Sequence, residues 1–114
     1  MKLMIVDDSS EMRKLIRSVV AQPADSVTEC ADGSEVLSTF QREQPDVVLM
    51  DLQMPNVSGI AATRTLKKEF PDARVIIVSN FNEQEYRDEA RDAGAASYFT
   101  KDNLIQLKEF VRQS

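Results

Sequence analysis

The stretch Val47-Val48-Leu49-Met50-Asp51 places four consecutive apolar residues directly before a carboxylate. A continuous apolar run that is rich in β-branched residues is typical of a strand buried on both faces of a sheet. Pro45 before this run and Pro55 after it leave too little room for a helix. Because open α/β sheets bind ligands just outside the carboxyl ends of their strands, the pattern predicts that Asp51 is the working residue.

Segments typical of strands and of helices alternate five times along the chain. We predict strands over residues 2–6, 26–30, 47–50, 73–78 and 96–100. This alternation predicts an α/β fold of the flavodoxin-like, doubly wound (βα)5 type. Its five-stranded parallel sheet would have the order 2-1-3-4-5, with helices on both faces.

The predicted helices follow the strands one by one. The first begins at Ser9 or Ser10 and has an apolar stripe made of Met12, Leu15, Ile16, Val19 and Val20. The second carries Val36, Leu37 and Phe40, the third begins at Gly59, and the fourth covers 83–93 before Gly94. Asp102 or Asn103 is expected to cap the fifth helix, which carries Leu104, Leu107 and Val111.

Length and composition narrow the class of protein. The chain has 114 residues, which predicts a single domain over residues 1–114. Its net charge is −5 and it has no basic run, which excludes direct nucleic-acid binding by this segment. No apolar run can span a bilayer, no secretory leader is seen, and the single cysteine, Cys30, fits a reducing compartment. We therefore expect a cytoplasmic protein without membrane contact.

Polar side chains follow four of the predicted strands, at the point where each strand ends. They are Asp7 and Asp8, then Asp51, then Ser79, then Lys101. In the expected strand order the first and third strands are neighbours, so three carboxylates converge and repel one another unless a cation intervenes. Each of these residues alone is more often a cap, a turn former or a surface group. Together they predict a site at one edge of the sheet.

The donor atoms at this edge limit the chemistry. The sequence has no histidine and one cysteine, so any metal would be a hard cation held by oxygen, either Mg²⁺ or Mn²⁺. Such an ion suits phosphoryl transfer to the Asp51 carboxylate, which would give an acyl phosphate. Lys101 and Ser79 would neutralise and hydrogen-bond the remaining phosphoryl oxygens.

These residues also carry a family resemblance. Over its whole length the sequence resembles the receiver domain of bacterial two-component response regulators. The matching segments are Met4-Ile5-Val6-Asp7-Asp8, Asp32-Gly33, Asp46-Val47-Val48-Leu49-Met50-Asp51-Leu52-Gln53-Met54-Pro55, Ser58-Gly59, Val78-Ser79, Gly94-Ala95 and Tyr98-Phe99-Thr100-Lys101. The set is highly specific as a whole.

The resemblance implies a phosphoacceptor switch. Asp51 would receive a phosphoryl group from the phosphohistidine of a sensor histidine kinase or a phosphotransfer protein. Asp8 would bind Mg²⁺ directly, Asp7 through water and Gln53 through its backbone carbonyl. Ser79 and Lys101 would bind the phosphoryl oxygens, and Tyr98 would be the switch aromatic that turns inward when Ser79 moves. The changed surface would be the fourth helix, fifth strand and fifth helix, acting on an output domain, a target protein or a second copy.

Four positions depart from the family pattern or vary within it. Asp102 follows Lys101 where many members have proline, which points to the branch with helix-turn-helix outputs. Asn80 stands where a small residue is usual, and its larger side chain would narrow the path to the acceptor carboxylate. Gln53 and Phe81 occupy the two variable positions that tune the lifetime of the phosphoryl group.

Three other functions share parts of this pattern. A Mg²⁺-dependent hydrolase with an aspartate nucleophile needs a second acid just after it, and Leu52-Gln53 supplies none. A flavin or nucleotide binder needs small residues after the first strand to cradle phosphate, which Asp7-Asp8 would repel. A receiver-like interaction domain that is never phosphorylated is the main alternative, and the intact set of five site residues argues against it.

Overall fold

The computed structural model describes residues 1–113, which form five strands and five α-helices in alternation. The strands are β1 (Lys2–Val6), β2 (Ser26–Cys30), β3 (Val47–Met50), β4 (Val75–Ser79) and β5 (Ser97–Thr100). The helices are α1 (Ser10–Val20), α2 (Val36–Glu43), α3 (Gly59–Glu69), α4 (Gln84–Ala93) and α5 (Leu104–Arg112). A short 3₁₀ helix, Gly33–Glu35, precedes α2.

All five strands are parallel and have the order β2-β1-β3-β4-β5, which confirms the predicted doubly wound, flavodoxin-like topology. Val6 lies opposite Met50, Met50 opposite Ile77, and Ser79 opposite Thr100. The register therefore brings the carboxyl ends of the central strands to one edge of the sheet, where the side chains that follow them can meet.

Alternate residues of each central strand point to opposite faces of the sheet, as the two-residue strand period requires. Leu3 and Ile5 of β1 belong to the core cluster that includes α1 and α5, whereas Met4 and Val6 belong to the cluster that includes α2, α3 and α4. All four side chains are buried. Burying a side chain of this size contributes about 1.5–3 kcal/mol, so helices on both faces hold the sheet and the site at its edge in place.

Three strand boundaries differ from the predicted ones. β4 begins at Val75 instead of residue 73, because the Ala73 N–H donates to the Phe70 carbonyl in the turn after α3 (3.0 Å). β4 also includes Ser79, which is paired with β5 in the ladder. β5 begins at Ser97, one residue later than predicted. The polar residue at the end of β4 thus belongs to the sheet itself and is fixed by it.

The helices also depart from expectation in three places, and one of them is that α4 begins at Gln84, one residue later than predicted. The prediction that Leu15 joins the apolar stripe of α1 is wrong, because its side chain is 46% exposed while Ile16 and Val20 are buried. Asn103 occupies the N-cap position of α5, yet its amide donates to the Thr100 hydroxyl (3.3 Å) and does not cap the helix. Within residues 1–113, no helix is long and apolar enough to cross a membrane.

Candidate functional site

The backbone of the sheet continues for one residue beyond β1 and β3 and fixes two carboxylates. The Asp7 N–H donates to the Cys30 carbonyl (3.0 Å), and the Asp51 N–H donates to the Val6 carbonyl (2.8 Å). Asp51 also accepts a hydrogen bond at Oδ1 from the N–H of Leu52 (2.9 Å). Both side chains are therefore held at the edge where the strand ends converge.

Three of the predicted site residues form one acidic cluster. Carboxylate oxygens of Asp7, Asp8 and Asp51 lie within 4.8 Å of one another. Asp7 is 1% exposed and Asp51 is 7% exposed, whereas Asp8 is at the surface. Like charges at this separation repel one another, and burial strengthens the repulsion.

Lys101 supplies the positive charge of the cluster. Its ammonium nitrogen lies 2.8 Å from Asp7 Oδ2 and 3.2 Å from Asp51 Oδ1, and the lysine side chain is 9% exposed. One ammonium thus serves two buried carboxylates. The nearby Asp8 adds a third carboxylate, so the one ammonium does not neutralise the negative charge of the cluster.

The pKa values of Asp51 and Lys101 reflect this excess of negative charge. Burial, followed by the negative charge of Asp7, raises the pKa of Asp51 to about 6, although Lys101 and the Leu52 N–H act in the opposite direction. Burial lowers the pKa of Lys101, but the pairing with Asp7 and the charge of Asp51 outweigh it and raise that pKa. Lys101 therefore remains an ammonium group.

The donor set of the cluster fits a hard divalent cation. Asp7 Oδ2 is buried and accepts no hydrogen bond of normal geometry from residues 1–113, although the Lys101 ammonium is close to it. Three carboxylates that share one ammonium form the all-oxygen environment that Mg²⁺ prefers. Gln53, whose backbone carbonyl was predicted as a further ligand, follows in the exposed loop after Asp51.

Gly59 allows the loop after β3 to close tightly over this edge. A Cβ atom at position 59 would lie 1.9 Å from the Asp51 carbonyl oxygen, so only glycine fits there. The Gly59 N–H donates to the Leu52 carbonyl (2.8 Å), and Ser58 caps α3 by accepting from the Ala61 N–H (3.1 Å). The start of α3 is thereby fixed directly against the residue that carries the central carboxylate.

Ser79 and Tyr98 are connected through Phe81. The Ser79 hydroxyl is buried and accepts from the Phe81 N–H (3.0 Å), while the Tyr98 phenol donates to the Phe81 carbonyl (2.7 Å). Burial raises the pKa of Tyr98, and a hydrogen bond from Ser79 partly offsets that increase. The structure thus joins the two predicted switch residues in one network at the ends of β4 and β5.

The remaining predicted residues lie around the cluster. Asn80 is exposed and lines an open polar cavity of about 370 Å³ together with Lys101 and Asn103. Phe81 is half-buried, and its ring packs on Tyr86 with centroids 5.1 Å apart. Among the described residues, the hydrogen bond and the ion pair of the Asp51 carboxylate go to Leu52 and Lys101, not to Gln53, Asn80 or Phe81.

Two arginines that the sequence did not single out contact this region. Arg13 on α1 donates to the Asp7 carbonyl (2.6 Å) and pairs with Glu29 on β2 (2.7 Å). Arg87 on α4 binds the loop after β4 and the ring of Tyr98. Their partners are distant in sequence or on other elements, so periodicity and motif spacing gave no signal for either residue.

Comparison with known proteins identifies the family. A family model described as the response regulator receiver domain matches residues 3–112. The chain belongs to this family. The predicted resemblance to response regulators is therefore confirmed, and the chain is a receiver domain of the kind used in two-component signalling.

Relatives support the same assignment. The receiver domain is 39% identical over 104 residues to the uncharacterized transcriptional regulatory protein YhcZ of Bacillus subtilis (strain 168), covering 90% of this chain and 49% of that protein. It is 33% identical over 100 residues to the chemotaxis protein CheY of Halobacterium salinarum, covering 88% and 83% respectively. The chain thus spans about half the length of the transcriptional regulators it matches.

A solved structure shows the same fold. The response regulator domain of Thermotoga maritima CheB superposes with a TM-score of 0.89 at 31% identity, covering 99% of this chain and 94% of that one. Receiver domains are signalling domains, and the acidic cluster of this one has the composition of a receiver's metal-binding pocket.

Proposed function

We propose that this receiver domain is a phosphoacceptor switch and that Asp51 is the acceptor. The observation that carries the proposal is the convergence of the Asp7, Asp8 and Asp51 carboxylates within 4.8 Å, with Lys101 paired to two of them. A cation fixed 3.2 Å from the central carboxylate would stabilise phosphoryl oxygens as they arrive. The membership in the receiver family supports the same role.

In the proposed reaction an Asp51 carboxylate oxygen attacks the phosphorus of a phosphohistidine. The P–N bond breaks, an acyl phosphate P–O bond forms, and the departing imidazole takes up a proton. Lys101 binds one phosphoryl oxygen and thereby offsets the charge that collects on the group. Ser79, whose Oγ accepts from the Phe81 N–H in this structure, turns to the phosphoryl group and donates its hydroxyl proton to another oxygen.

Asp7, Asp8, Asp51 and the backbone carbonyl of Gln53 would hold Mg²⁺, or Mn²⁺ in its place. The ion would neutralise the carboxylate repulsion and polarise the phosphoryl group when bound. The buried Asp7 Oδ2, which accepts no normal hydrogen bond among residues 1–113, supports this assignment. Lys101 lies on the same edge, so the chain itself supplies one cation toward an incoming phosphoryl group.

The switch would connect the acceptor to α4, β5 and α5. When Ser79 turns to the phosphoryl group, the Phe81 peptide and the Tyr98 phenol that are bonded to it must rearrange. Helix α4 is highly charged and buries only Ala90 and Ala93, which is typical of an element with low local stability. A surface change at α4, β5 and α5 is therefore the proposed output.

Gln53, Asn80 and Phe81 would tune how long the phosphoryl group survives. Asn80 lies at the open cavity beside Lys101, where its side chain would narrow the path to the Asp51 carboxylate. The apolar ring of Phe81 would exclude an attacking water. The amide of Gln53 is exposed in the loop after Asp51, where it would orient water. We thus assign Asn80 and Phe81 a restricting effect and Gln53 a promoting effect on hydrolysis. Single variants at each position test these effects separately.

The proposed partners follow from the family. A sensor histidine kinase or phosphotransfer protein would supply the phosphoryl group in the cytoplasm, and residues 1–114 would act as one receiver unit. The output would be an attached domain, a separate target protein or a second copy that associates through the α4, β5 and α5 surface. The transcriptional relatives favour an attached regulatory domain as the output.

Intact mass spectrometry tests the acceptor. Incubation with a small acyl phosphate and Mg²⁺ should add one phosphoryl group to the protein. The adduct should be absent in Asp51→Asn and in the presence of a chelator, and retained in the exposed control Asp72→Asn. Failure of the wild-type chain to gain a phosphoryl group with either Mg²⁺ or Mn²⁺ would favour the unphosphorylated interaction domain.

A further inference from the structure

Arg87 of α4 contacts two segments that the proposed switch must move. Its Nε and Nη2 atoms both donate to Asn82 Oδ1, at 3.0 and 2.7 Å, in the loop after β4. The same guanidinium lies over the ring of Tyr98, 4.7 Å from the centroid, and its Nη1 is 3.5 Å from the Tyr98 carbonyl. One side chain thus ties α4 to a loop and to β5.

The segments that Arg87 joins also contain the network of Ser79. The Tyr98 phenol donates to the Phe81 carbonyl (2.7 Å), and the Phe81 N–H donates to Ser79 Oγ (3.0 Å). Asn82 directly follows Phe81, so fixing the Asn82 side chain restricts the Phe81 peptide as well. Arg87 therefore acts on the Tyr98 end of this path directly and on its middle, the Phe81 peptide, through Asn82.

We propose that Arg87 is a positioning residue for phosphorylation of this receiver domain. It keeps the Tyr98 phenol docked on the Phe81 carbonyl and keeps the loop after β4 in the conformation in which Ser79 accepts from the Phe81 N–H. Arg87 thus restrains the arrangement that the switch must leave. The inference rests on the proposed function, because it assigns Arg87 a role in the phosphorylation of Asp51. Among residues 1–113, the hydrogen bonds of Arg87 join it to Asn82 and Tyr98 and not to the acidic cluster, so it acts on Asp51 through the network of Tyr98 and Ser79.

The chemistry of the contact requires arginine. A planar guanidinium can stack on an aromatic ring while its edge donates to an acceptor in the same plane, and an ammonium cannot do both. A cation over an aromatic ring at a partly exposed site is worth about two- to fivefold in an equilibrium constant. The two hydrogen bonds to Asn82 Oδ1 stabilise the same arrangement further. If the two arrangements of the switch have similar free energies, these contacts of Arg87 are enough to change their relative populations.

Arg91 provides a matched control on the same helix. It lies one turn further along α4 and pairs at the surface with Asp88 (3.2 Å) and Asp92 (3.4 Å). Both of these ion pairs lie within α4. Arg91→Ala therefore removes the same charge and the same helix-forming side chain while leaving the Tyr98 and Asn82 contacts intact.

The first arm of the test measures the docking of Tyr98 without phosphorylation. Because the sequence contains only two tyrosines, Tyr86→Phe leaves Tyr98 as the single site for fluorotyrosine labelling and ¹⁹F NMR. In that background, Arg87→Ala should shift the Tyr98 resonance toward an undocked population by about two- to fivefold. Arg87→Lys should recover part of the docked signal, and Arg91→Ala should match the parent. An unchanged Tyr98 resonance in Arg87→Ala would overturn the inference.

The second arm measures the rate of Asp51 phosphorylation by a small acyl phosphate with Mg²⁺. Arg87→Ala should speed the reaction by up to about two- to fivefold, because it loosens the arrangement that Ser79 must leave to reach the phosphoryl group. A slower reaction would overturn this restraint. An Arg87→Ala protein with undocked Tyr98 and an unchanged rate would overturn the role in phosphorylation. If the parent chain itself gains no phosphoryl group, the proposed function fails, and the ¹⁹F arm still decides whether Arg87 docks Tyr98.

Discussion

The ammonium of Lys101 lies 3.2 Å from Oδ1 of Asp51, although the strands that precede these two residues are not neighbours in the sheet. The ion pair therefore crosses the end of β4, where Ser79 is buried. This arrangement places a cation, a hydroxyl and a carboxylate around one small volume at the edge of the sheet. It also makes the charge balance of that edge depend on a single lysine.

Replacing Lys101 should destabilise the protein most when no divalent ion is present. Lys101→Met leaves Asp7 and Asp51 buried without their cation, and removal of one partner from a buried ion pair costs about 3 kcal/mol. Urea denaturation with a chelator should show this loss, and Mg²⁺ should restore part of it by taking over the neutralising role. The exposed control Lys68→Met should behave like wild type in both conditions. Equal stability of Lys101→Met and wild type in chelator would show that Asp7 and Asp51 do not depend on the lysine for neutralisation.

Asn80→Ala should speed phosphorylation by small donors. The Asn80 side chain is exposed on the rim of the cavity beside Lys101, so shortening it widens the approach to the site. A severalfold increase in the rate of adduct formation from a small acyl phosphate is expected. Asn103→Ala, which lines the same cavity from the start of α5, should leave the rate unchanged. A slower reaction in Asn80→Ala would assign its amide a role in binding the donor.

Gly59→Ala should destabilise the fold more than most other substitutions that add one methyl group to the domain. The added Cβ would lie 1.9 Å from the Asp51 carbonyl oxygen, which forces α3 away from the end of β3. Overpacking of this kind costs about 1–3 kcal/mol. Ser58→Ala, which only removes the N-cap bond of α3, should cost about 1 kcal/mol and serves as the local reference. Thermal unfolding of both variants measures the difference, and a Gly59→Ala protein as stable as Ser58→Ala would contradict the steric argument.

Topology and the positions of the strand-end residues were predictable because they depend on short-range patterns. Four apolar residues before Asp51 define a buried strand, and the alternation with helices fixes a parallel sheet. The predicted bounds of β4 failed at both ends, because an Ala-Arg pair before it resembles strand sequence and Ser79 resembles loop sequence. Backbone hydrogen bonding decides both ends of β4, and the strand propensity of single residues gives no information about it.

The contacts that involve two distant segments could not be predicted. Leu15 has the spacing of a core residue on α1, but the sheet is reached by Ile16 and Val20, and this orientation is set by packing. Arg87 is one of seven charged residues between 83 and 93, and only the fold places the ring of Tyr98 beneath it. Side chains of this kind have partners that depend on the tertiary structure, so they leave no periodic signal.

Asp32 joins the loop after β2 to the loop after β3. Its carboxylate is 6% exposed and accepts from the N–H groups of Ser34 (2.9 Å), Asn56 (3.0 Å) and Val57 (3.3 Å). These bonds, led by the one from Asn56, lower the pKa of Asp32 to about 2. The two loops beside the acidic cluster are therefore held together by an ionised carboxylate.

The low pKa of Asp32 predicts how its contribution to stability depends on pH. Because the pKa is lower in the folded state than in the unfolded state, the contribution is complete above the ordinary value of about 4 and is lost as the pH falls toward about 2. Asp32→Asn should therefore be less stable than wild type at neutral pH, and the difference should shrink in acid. Urea denaturation of both proteins across this range measures it, with the exposed Asp72→Asn as a control. A difference that stays constant down to about pH 2 would show that the stabilisation comes from the shape of the side chain and not from its charge.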